Sequence, residues 1–566
     1  MKRVGSFVGD WWRLVVPYFK SEERWIAITL LIGAVSLTFV AVGLEVLFND
    51  WNRRFYDSLQ NKDEAAFWRE ITIFSLLAAG FIAAGVARAI VSPYLRLRWR
   101  RWLTRQYLAH WLDGRGYYRI ELQRTVDNAD QRIAEDLRQL GEYTMTLLLG
   151  ILGAVATLIS FLFILWNLSG PLSLKPIGID ITIPGYMAWV ALIYAVIGTF
   201  FANLVGRRLI PLNFQRQRYE ANFRFSLVRV RENAEGIALY RGEEREAEVL
   251  NQRFADVFAN GWQVLFTQAQ LALYQVSYGQ IAIIFPYIVT APGFFSGALT
   301  LGVVMQTASA FGQVQGALSF FIDNYTYLAE LRAVMDRLMG LQKASDAKPA
   351  TSIEVAPEPG RSDLGAAGLT LGLPNGQALL ADATFTLPRG RSTLITGASG
   401  SGKSTLFRAL AGIWPFGKGQ VRVPAGARVL FLPQKPYIPI GTLRDAVKYP
   451  DEDSKATDAE IVAALEAVKL GHIAGRMDEV AHWTNILSGG EQQRLAVARA
   501  LVFKPDWLFL DEAMETAVYE ALKQRLPSTT MVSIGHRPSL RQWHDRQVEL
   551  QRAQGEVGRL VEARLQ

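Results

Sequence analysis

The sequence predicts two fold classes in one chain: an α-helical membrane domain of six spans, then an α/β domain built around a phosphate-binding loop. Three observations carry this. Apolar stretches of bilayer length crowd roughly the first 320 residues, and an ordinary soluble composition follows. The octapeptide Gly397-Ala398-Ser399-Gly400-Ser401-Gly402-Lys403-Ser404 fits the pattern G-x(4)-G-K-[ST]. It follows a strand-like run, Ser392 to Thr396, and precedes a helix-compatible one, Leu406 to Ile413, which is the context such a loop requires.

A helix needs about 20 mainly apolar residues to cross the hydrocarbon core. Six stretches qualify: Trp25 to Phe48, Ile71 to Val91, Met145 to Leu168, Ile183 to Val205, Leu271 to Val289 and Leu299 to Phe321. The last two are diluted by Gln275, Gln280, Gln306 and Gln313. Glutamines within a span either line a wet path or make buried hydrogen bonds between helices, and both readings stay open. Ahead of the first span, Phe7 to Phe19 mixes Trp11, Trp12, Val15, Val16 and Tyr18 with Asp10 and Arg13, which suits an interfacial segment on the membrane surface; a disordered N-terminus is the alternative. No secretory signal is evident after Met1-Lys2-Arg3, so the first span is expected to stay in place.

The absence of cysteine excludes disulfides and thiolate metal sites. The net charge of +8 is explained by topology, with no need for a nucleic-acid partner. Residues 92–142 hold ten arginines against seven acids, and residues 207–260 hold ten against eight. By contrast, Lys175 is the only basic residue between the third and fourth spans, and the fifth-to-sixth connection has none. The first-to-second connection, with Arg53, Arg54, Lys62 and Arg69, fits less cleanly. The balance places both termini on the cytoplasmic side of the membrane. Both Arg-rich loops are long and helix-compatible. If residues 92–142 run out and back as helices, each arm reaches roughly 38 Å. For most single arginines there, a solvated helix face is explanation enough.

Residues 1–342 are therefore read as the membrane domain. A linker follows over residues 343–368, marked by Pro349, Pro357 and Pro359, and residues 369–566 form the nucleotide-binding domain.

In that last part four further motifs appear in order: Gln434 after Val429 to Pro433, then Leu487-Ser488-Gly489-Gly490-Glu491-Gln492, then Trp507-Leu508-Phe509-Leu510-Asp511-Glu512, then Ser533-Ile534-Gly535-His536-Arg537. A phosphate loop alone could arise by chance; the ordered set does not. It resembles the nucleotide-binding domain of ABC proteins, and with the long helical arms the chain resembles exporter-type ABC architecture. The role of the loop follows from its chemistry. Gly397, Ser399, Gly400, Ser401, Gly402, Lys403, Ser404 and Thr405 bind the phosphates of ATP, with Lys403 as a point charge and the Ser404 hydroxyl toward Mg2+. The resemblance implies the rest. Asp511 and Gln434 join Ser404 around Mg2+, Glu512 polarises the attacking water, His536 contacts the terminal phosphate, and Ser488, Gly489, Gly490 and Glu491 complete the site of another copy. With one phosphate loop and one signature per chain, a homodimer is expected.

Two features depart from that pattern. No aromatic residue suited to stack on adenine stands between Gly360 and Ala383. Only 23 residues separate Glu512 from His536, short by roughly two helical turns. Either an interface loop is deleted or residues are missing from the recorded sequence; family-like flanks favour the second.

The membrane half resembles SbmA/BacA-type bacterial peptide transporters. The likeness lies in Leu97-Arg98-Trp99-Arg100-Arg101-Trp102-Leu103-Thr104 with Trp111 and Tyr117-Tyr118-Arg119, in Phe55-Tyr56-Asp57-Ser58-Leu59-Gln60, and from Phe285-Pro286-Tyr287 through Met305 to Phe311. With the fused ATPase the chain looks like the BacA-like ABC subgroup, related to peroxisomal fatty-acyl half-transporters. The resemblance implies import of peptides or other bulky solutes, corrinoids included. Acyl or lipid-like transport and a non-transporting membrane ATPase are the rival classes. Glu45, charged and near the end of the first span, is the expected path-lining residue; Arg88 is read as snorkelling to the interface.

Overall fold

The computed structural model describes residues 2–169, 171–173, 182–347, 353–451, 455–511, 516–552 and 557–563. The chain forms two compact units: Met1–Asp113 with Val126–Ala344, and Gly114–Thr125 with Ser345–Gln566.

The first unit opens with α1 (Lys2–Phe19), amphipathic as its sequence predicts: Leu14, Val15 and Tyr18 are buried, while Trp12 and Arg13 face out. Next come α2 (Arg24–Gln60) and α3 (Glu64–Leu112), an antiparallel pair; the Asp63 carboxylate caps α3 by accepting from the Ala66 amide at 2.9 Å. α3 carries the second apolar stretch and continues over the arginines that follow it. Gly114 and Arg115, both at positive φ (50° and 60°), then turn the chain into α4 (Gly116–Gln123), which belongs to the second unit. The return leg is α5 (Ala129–Gln131), a π-turn over Arg132–Asp136, and α6 (Leu137–Leu168). Strands β1 (Pro171–Ser173) and β2 (Thr182–Pro184) pair antiparallel. The remaining helices are α7 (Tyr186–Gly206), α8 (Leu209–Glu232), α9 (Ala234–Tyr240), α10 (Glu243–Phe295), α11 (Leu301–Asp323) and α12 (Tyr325–Asp346).

Among the described residues, five helices are long and apolar enough to cross a membrane: Arg24–Gln60, Glu64–Gln123, Ala129–Leu168, Tyr186–Glu232 and Glu243–Phe295. The sixth predicted span falls on α11, which is not among them because Gln306, Gln313 and Gln315 dilute it. Instead α11 packs on α2, α6, α7 and α10, with Ala310, Phe311 and Val314 in one core with Phe161, Leu165 and Met187. The glutamines divide accordingly. Gln306 is buried, and its backbone carbonyl accepts from Asn49 Nδ2 at 3.0 Å, whereas Gln275 and Gln280 on α10 are exposed.

The second unit holds two large sheets. In one, β3 (Ile353–Glu358), β4 (Leu364–Gly372), β5 (Ala378–Leu387) and β7 (Gly417–Pro424) lie in the order β3-β7-β4-β5. Residues 353–358 belong to the stretch that reads as linker, yet they form an edge strand parallel to β7, a position that tolerates Pro357. The other sheet contains β6 (Thr393–Thr396), β8 (Val429–Leu432), β11 (Trp507–Asp511), β12 (Thr530–Ile534), β13 (Arg546–Gln551) and β14 (Arg559–Ala563), in the order β14-β13-β6-β12-β11-β8. All but β14 run parallel, and the near-continuous apolar runs of β8, β11 and β12 fit strands covered on both faces. Side-chain alternation sorts the two faces. Trp507 and Phe509 share a core with Leu406, Phe407, Ala409 and Leu410 of α13 (Lys403–Leu410). Leu508 and Leu510 share another with Leu495 through Leu501 of α17 (Gly489–Phe503). That second core also takes α14 (Leu443–Lys448), α15 (Asp458–Ala467) and Trp483 of the short α16 (Trp483–Ile486). A small ribbon of β9 (Gly441–Thr442) with β10 (Val480–Ala481) and helix α18 (Thr516–Arg525) complete the unit.

Gly302 shows how tightly α11 meets α2. Its amide donates to Asp57 Oδ1 at 3.0 Å, and a Cβ there would lie 2.2 Å from the Arg53 carbonyl oxygen. Gly302→Ala is therefore expected to cost about 1–3 kcal/mol, the range for overpacking. Thermal unfolding of the detergent-solubilised protein checks this, and an unchanged midpoint would count against the close approach.

Candidate functional site

In an open parallel sheet, ligands bind beyond the carboxyl ends of the strands. Here β6, β12, β11 and β8 are consecutive neighbours, so their ends span three strand spacings of about 4.8 Å each. The phosphate loop leaves β6 at Gly397. His536 follows β12 by two residues, Asp511 is the last residue of β11, and Gln434 follows β8 by two residues. The register aligns Asp511 with Ile534, and the Gly535 amide donates to the Ile395 carbonyl at 3.1 Å, tying the start of the His536 turn to β6. Residues more than a hundred positions apart in sequence thus share one edge. Glu512 lies outside the described residues.

The loop is shaped for close approach. Gly397 sits at φ 150°, where a Cβ would come within 2.6 Å of the Leu550 carbonyl oxygen, and Gly402 at φ 107° starts α13 in a conformation that favours glycine. Lys403 is buried and donates to the carbonyls of Gly397 and Ala398, both at 2.9 Å, so its ammonium is held over the loop. Ser404 is exposed, whereas Ser401 and Thr405 are buried, and Ser401 Oγ has no hydrogen-bond partner among the described residues. A cation above a helix N-terminus, an unsatisfied hydroxyl and a cradle closed to Cβ atoms suit phosphate groups. ATP fits these residues, and the Ser404 hydroxyl with the Asp511 carboxylate fits the accompanying Mg2+.

The signature segment is built differently. Ser488 caps α17 in a reciprocal box: Glu491 Oε2 accepts from the Ser488 amide at 2.9 Å, and the Ser488 hydroxyl accepts from the Glu491 amide at 3.4 Å. These bonds to Ser488 hold the Glu491 carboxyl below its ordinary range. Gln492 Nε2 fixes the preceding loop by donating to Thr484 O at 2.8 Å and Leu487 O at 2.9 Å. Ser488, Gly489 and Gly490 are left exposed at the positive end of a 15-residue helix. α13 and α17 thus lie in cores on opposite faces of the sheet, and no hydrogen bond links Ser488, Gly489 or Gly490 to the phosphate loop among the described residues.

Three contacts escape sequence reasoning. Gln493 Nε2 donates to the Gln434 carbonyl at 3.1 Å. Arg499, in the buried apolar run of α17, donates to Ala446 O at 2.8 Å and Tyr437 O at 3.1 Å; desolvation lowers its pKa. A lone arginine within Leu495-Ala496-Val497-Ala498-Arg499-Ala500-Leu501 is the signal that sequence offers for it. Lastly, Arg115 donates to Ala411 O at 3.0 Å and Gly412 O at 3.1 Å, the carbonyls that end α13, where a cation is favoured. The segment covalently continuous with α3 therefore sits on the far end of the phosphate-loop helix.

Beneath the His536 turn, His544 is buried and fully bonded: Nδ1 to Leu540 O and Nε2 to Ser533 Oγ, both at 2.8 Å, while Tyr519 donates to the same hydroxyl at 3.1 Å. A carbonyl facing Nδ1 and a hydroxyl facing Nε2 suit the neutral ring, and burial pushes its pKa down.

Residues 12–295 match the family model described as ABC transporter transmembrane region 2, and residues 380–515 match that described as ABC transporter. An uncharacterized ABC transporter ATP-binding protein of Haemophilus influenzae is 36% identical over 558 residues, covering 96% of this chain and 92% of that protein. ABC transporter D family member 2, chloroplastic, of Arabidopsis thaliana is 33% identical, covering 96% and 86%. The inner membrane ABC transporter ATP-binding protein YddA of Escherichia coli is 31% identical, covering 93% and 94%. The solved structure of a bacterial Atm1-family ABC exporter with ATP bound shares the fold, with a TM-score of 0.74 at 18% identity over 92% of this chain and 93% of that one.

Two outcomes test the site. Arg115→Ala should leave ATP affinity within about twofold, because the contact lies at the opposite end of α13, and should weaken the link between transport and hydrolysis; unaltered coupling in proteoliposomes would remove its role. For His544, the unfolded ring takes a proton below about pH 6.5 that the folded ring refuses. Stability is thus full above that pH and falls as pH drops toward the lower folded value, by up to about 1.4 kcal/mol per pH unit. Thermal inactivation of ATPase activity between pH 7.5 and 5.5 should show this slope, and His544→Gln should flatten it.

Proposed function

The chain belongs to the ABC transporter family, and we propose that two copies of it form an importer of bulky, charged solutes, peptides foremost, across the bacterial cytoplasmic membrane. As a family member it is a membrane-spanning half-transporter that binds ATP with Mg2+ and couples hydrolysis to transport. The dimer reading rests on the single phosphate loop and single signature in the sequence: Ser488, Gly489, Gly490 and Glu491 of one copy would complete the phosphate loop, Gly397 to Thr405, of the other. In that shared site Ser404, Asp511 and Gln434 hold Mg2+, Glu512 polarises water and His536 contacts the terminal phosphate. Both termini and the ATPase are assigned to the cytoplasm.

A polar chamber in the first unit carries the solute reading. It has a volume of about 1190 Å3 and is lined from α8, α12 and residues 127–143 by four arginines and five acids. Part of this charge is spent: Arg337 holds Asp136 at 2.7 and 2.8 Å, and Arg132 donates to the carbonyls of Asp127 and Arg337. The side chains of Arg216, Arg224 and Glu220 make no hydrogen bond or ion pair with a described residue and would supply both signs to a zwitterionic solute. An acyl chain would leave them desolvated without recompense. The SbmA/BacA-like residues over 55–60, 97–104 and 285–311 support peptides and the inward direction. The likeness to D-family relatives favours a second reading, an acyl or lipid-like solute. Glu45 is half-buried on α2 and lies outside the chamber lining; it is assigned to the path on the cost of its charge at membrane depth.

ATP-dependent accumulation of a labelled peptide in proteoliposomes is expected, with little uptake of a fatty-acyl probe; the opposite ranking would replace the first reading by the second. Glu512→Gln should keep ATP binding and lower turnover by roughly 10²–10⁴-fold, the usual contribution of a general base. Unchanged hydrolysis would sink that assignment.

A further inference from the structure

A second cavity, of about 350 Å3, opens between α1 and the helices α2, α3 and α6. Its walls are apolar: Val15, Val16 and Phe19 of α1, Trp99 of α3, and Met145 and Leu148 of α6. A hydroxyl in the lining, that of Thr144, is already engaged by Trp11 Nε1 at 3.2 Å. The wall on the α1 side is firmly placed, because Tyr18 is fully buried and stacks on Trp99 with ring centroids 5.9 Å apart and planes within 12°. Lys20 stands at the rim, exposed and without an ion pair to a described residue. Of its acidic neighbours, Glu23 is taken by Arg98 at 3.0 Å and Arg101 at 2.7 Å, and Glu22 forms no ion pair with it.

We propose that this slot binds one acyl chain of an anionic phospholipid of the surrounding bilayer, with the headgroup phosphate on Lys20. An interfacial amphipathic helix places its apolar face at the boundary between headgroups and chains, where the occupant in reach is lipid. A free cation at the mouth of an apolar slot matches the order of polarity along a phospholipid, and anionic headgroups are drawn to such a cation. At about 350 Å3 the slot holds less than the roughly 420 Å3 that one turn of a helix about 10 Å across would fill. It shares no lining residue with the polar chamber, so the bound lipid is a fixed component of the transporter and distinct from the transported solute.

The test uses the full-length protein in nanodiscs of phosphatidylcholine containing a trace of photoactivatable phosphatidylglycerol or phosphatidylcholine, each bearing a diazirine near the chain end. Labelled peptides are read by mass spectrometry. Wild type should be labelled at residues 11–20 and 144–148, with the phosphatidylglycerol probe favoured at least fivefold. Val16→Trp, which fills the slot, should lower that labelling about tenfold while labelling elsewhere on the spans persists. Lys20→Glu changes an exposed side chain, leaves the fold intact and should abolish the headgroup preference. Equal labelling by both probes in wild type, or a preference that survives Lys20→Glu, would reduce the site to ordinary annular lipid and overturn the proposal.

Discussion

Four short strands, β6, β12, β11 and β8, run parallel and side by side, and the phosphate chemistry depends on that register. A one-residue slip would turn each strand's side chains to the opposite face and carry its terminal residue off the shared edge. The register is held by burial. Trp507 and Phe509 can reach only one core, Leu508 and Leu510 only the other, so the strand that ends in Asp511 has a single acceptable position. Under β12 the network of Tyr519, Ser533 and His544 holds position with hydrogen bonds, whose loss would strand buried polar groups at about 1–3 kcal/mol each.

The same sheet separates the two halves of the machinery. With α13 on one face and α17 on the other, the phosphate loop and the signature are carried by separate cores of one chain, and the proposed dimer would bring one copy's loop to the other's signature. The contacts that link these parts within the chain are made to backbone carbonyls. Gln493 and Arg499 connect the signature helix to the residues after Gln434, and Arg115 connects the segment continuous with α3 to the end of α13. A buried guanidinium bonded to carbonyls resists displacement because breaking either bond leaves a desolvated charge. Movement at Gln434 is therefore expected to carry the signature helix with it as a body.

In the membrane unit, polarity is divided between two cavities. The chamber among α8, α12 and residues 127–143 gathers unspent charge of both signs, and the slot beside α1 gathers aromatic and aliphatic walls with one cation at its rim. The first suits a solute that must be released again, the second a hydrocarbon chain that need not leave.

What the sequence determined by itself is local. Glycines at Gly397 and Gly402, the capping pair Ser488 and Glu491, the amphipathic face of α1 and most of the apolar spans follow from residue type and spacing, because their energetics are settled within a few residues. Tertiary structure decided where local rules are silent or outvoted. Pro357 and Pro359 read as a linker, yet residues 353–358 gain an edge-strand position from β7, more than sixty residues away. Leu299 to Phe321 read as a span whose glutamines line a wet path or bond to other helices, and only the packing of α11 on α2, α6, α7 and α10 decides that Gln306 is buried while Gln313 and Gln315 are half-buried. The two cavities have no signature in sequence, and the carbonyl partners of Arg499 and of Arg115 are not specified by it, although a lone arginine in an apolar run and a long helical arm are visible there. They arise from groups far apart along the chain whose desolvation is offset only where the fold brings their partners to them.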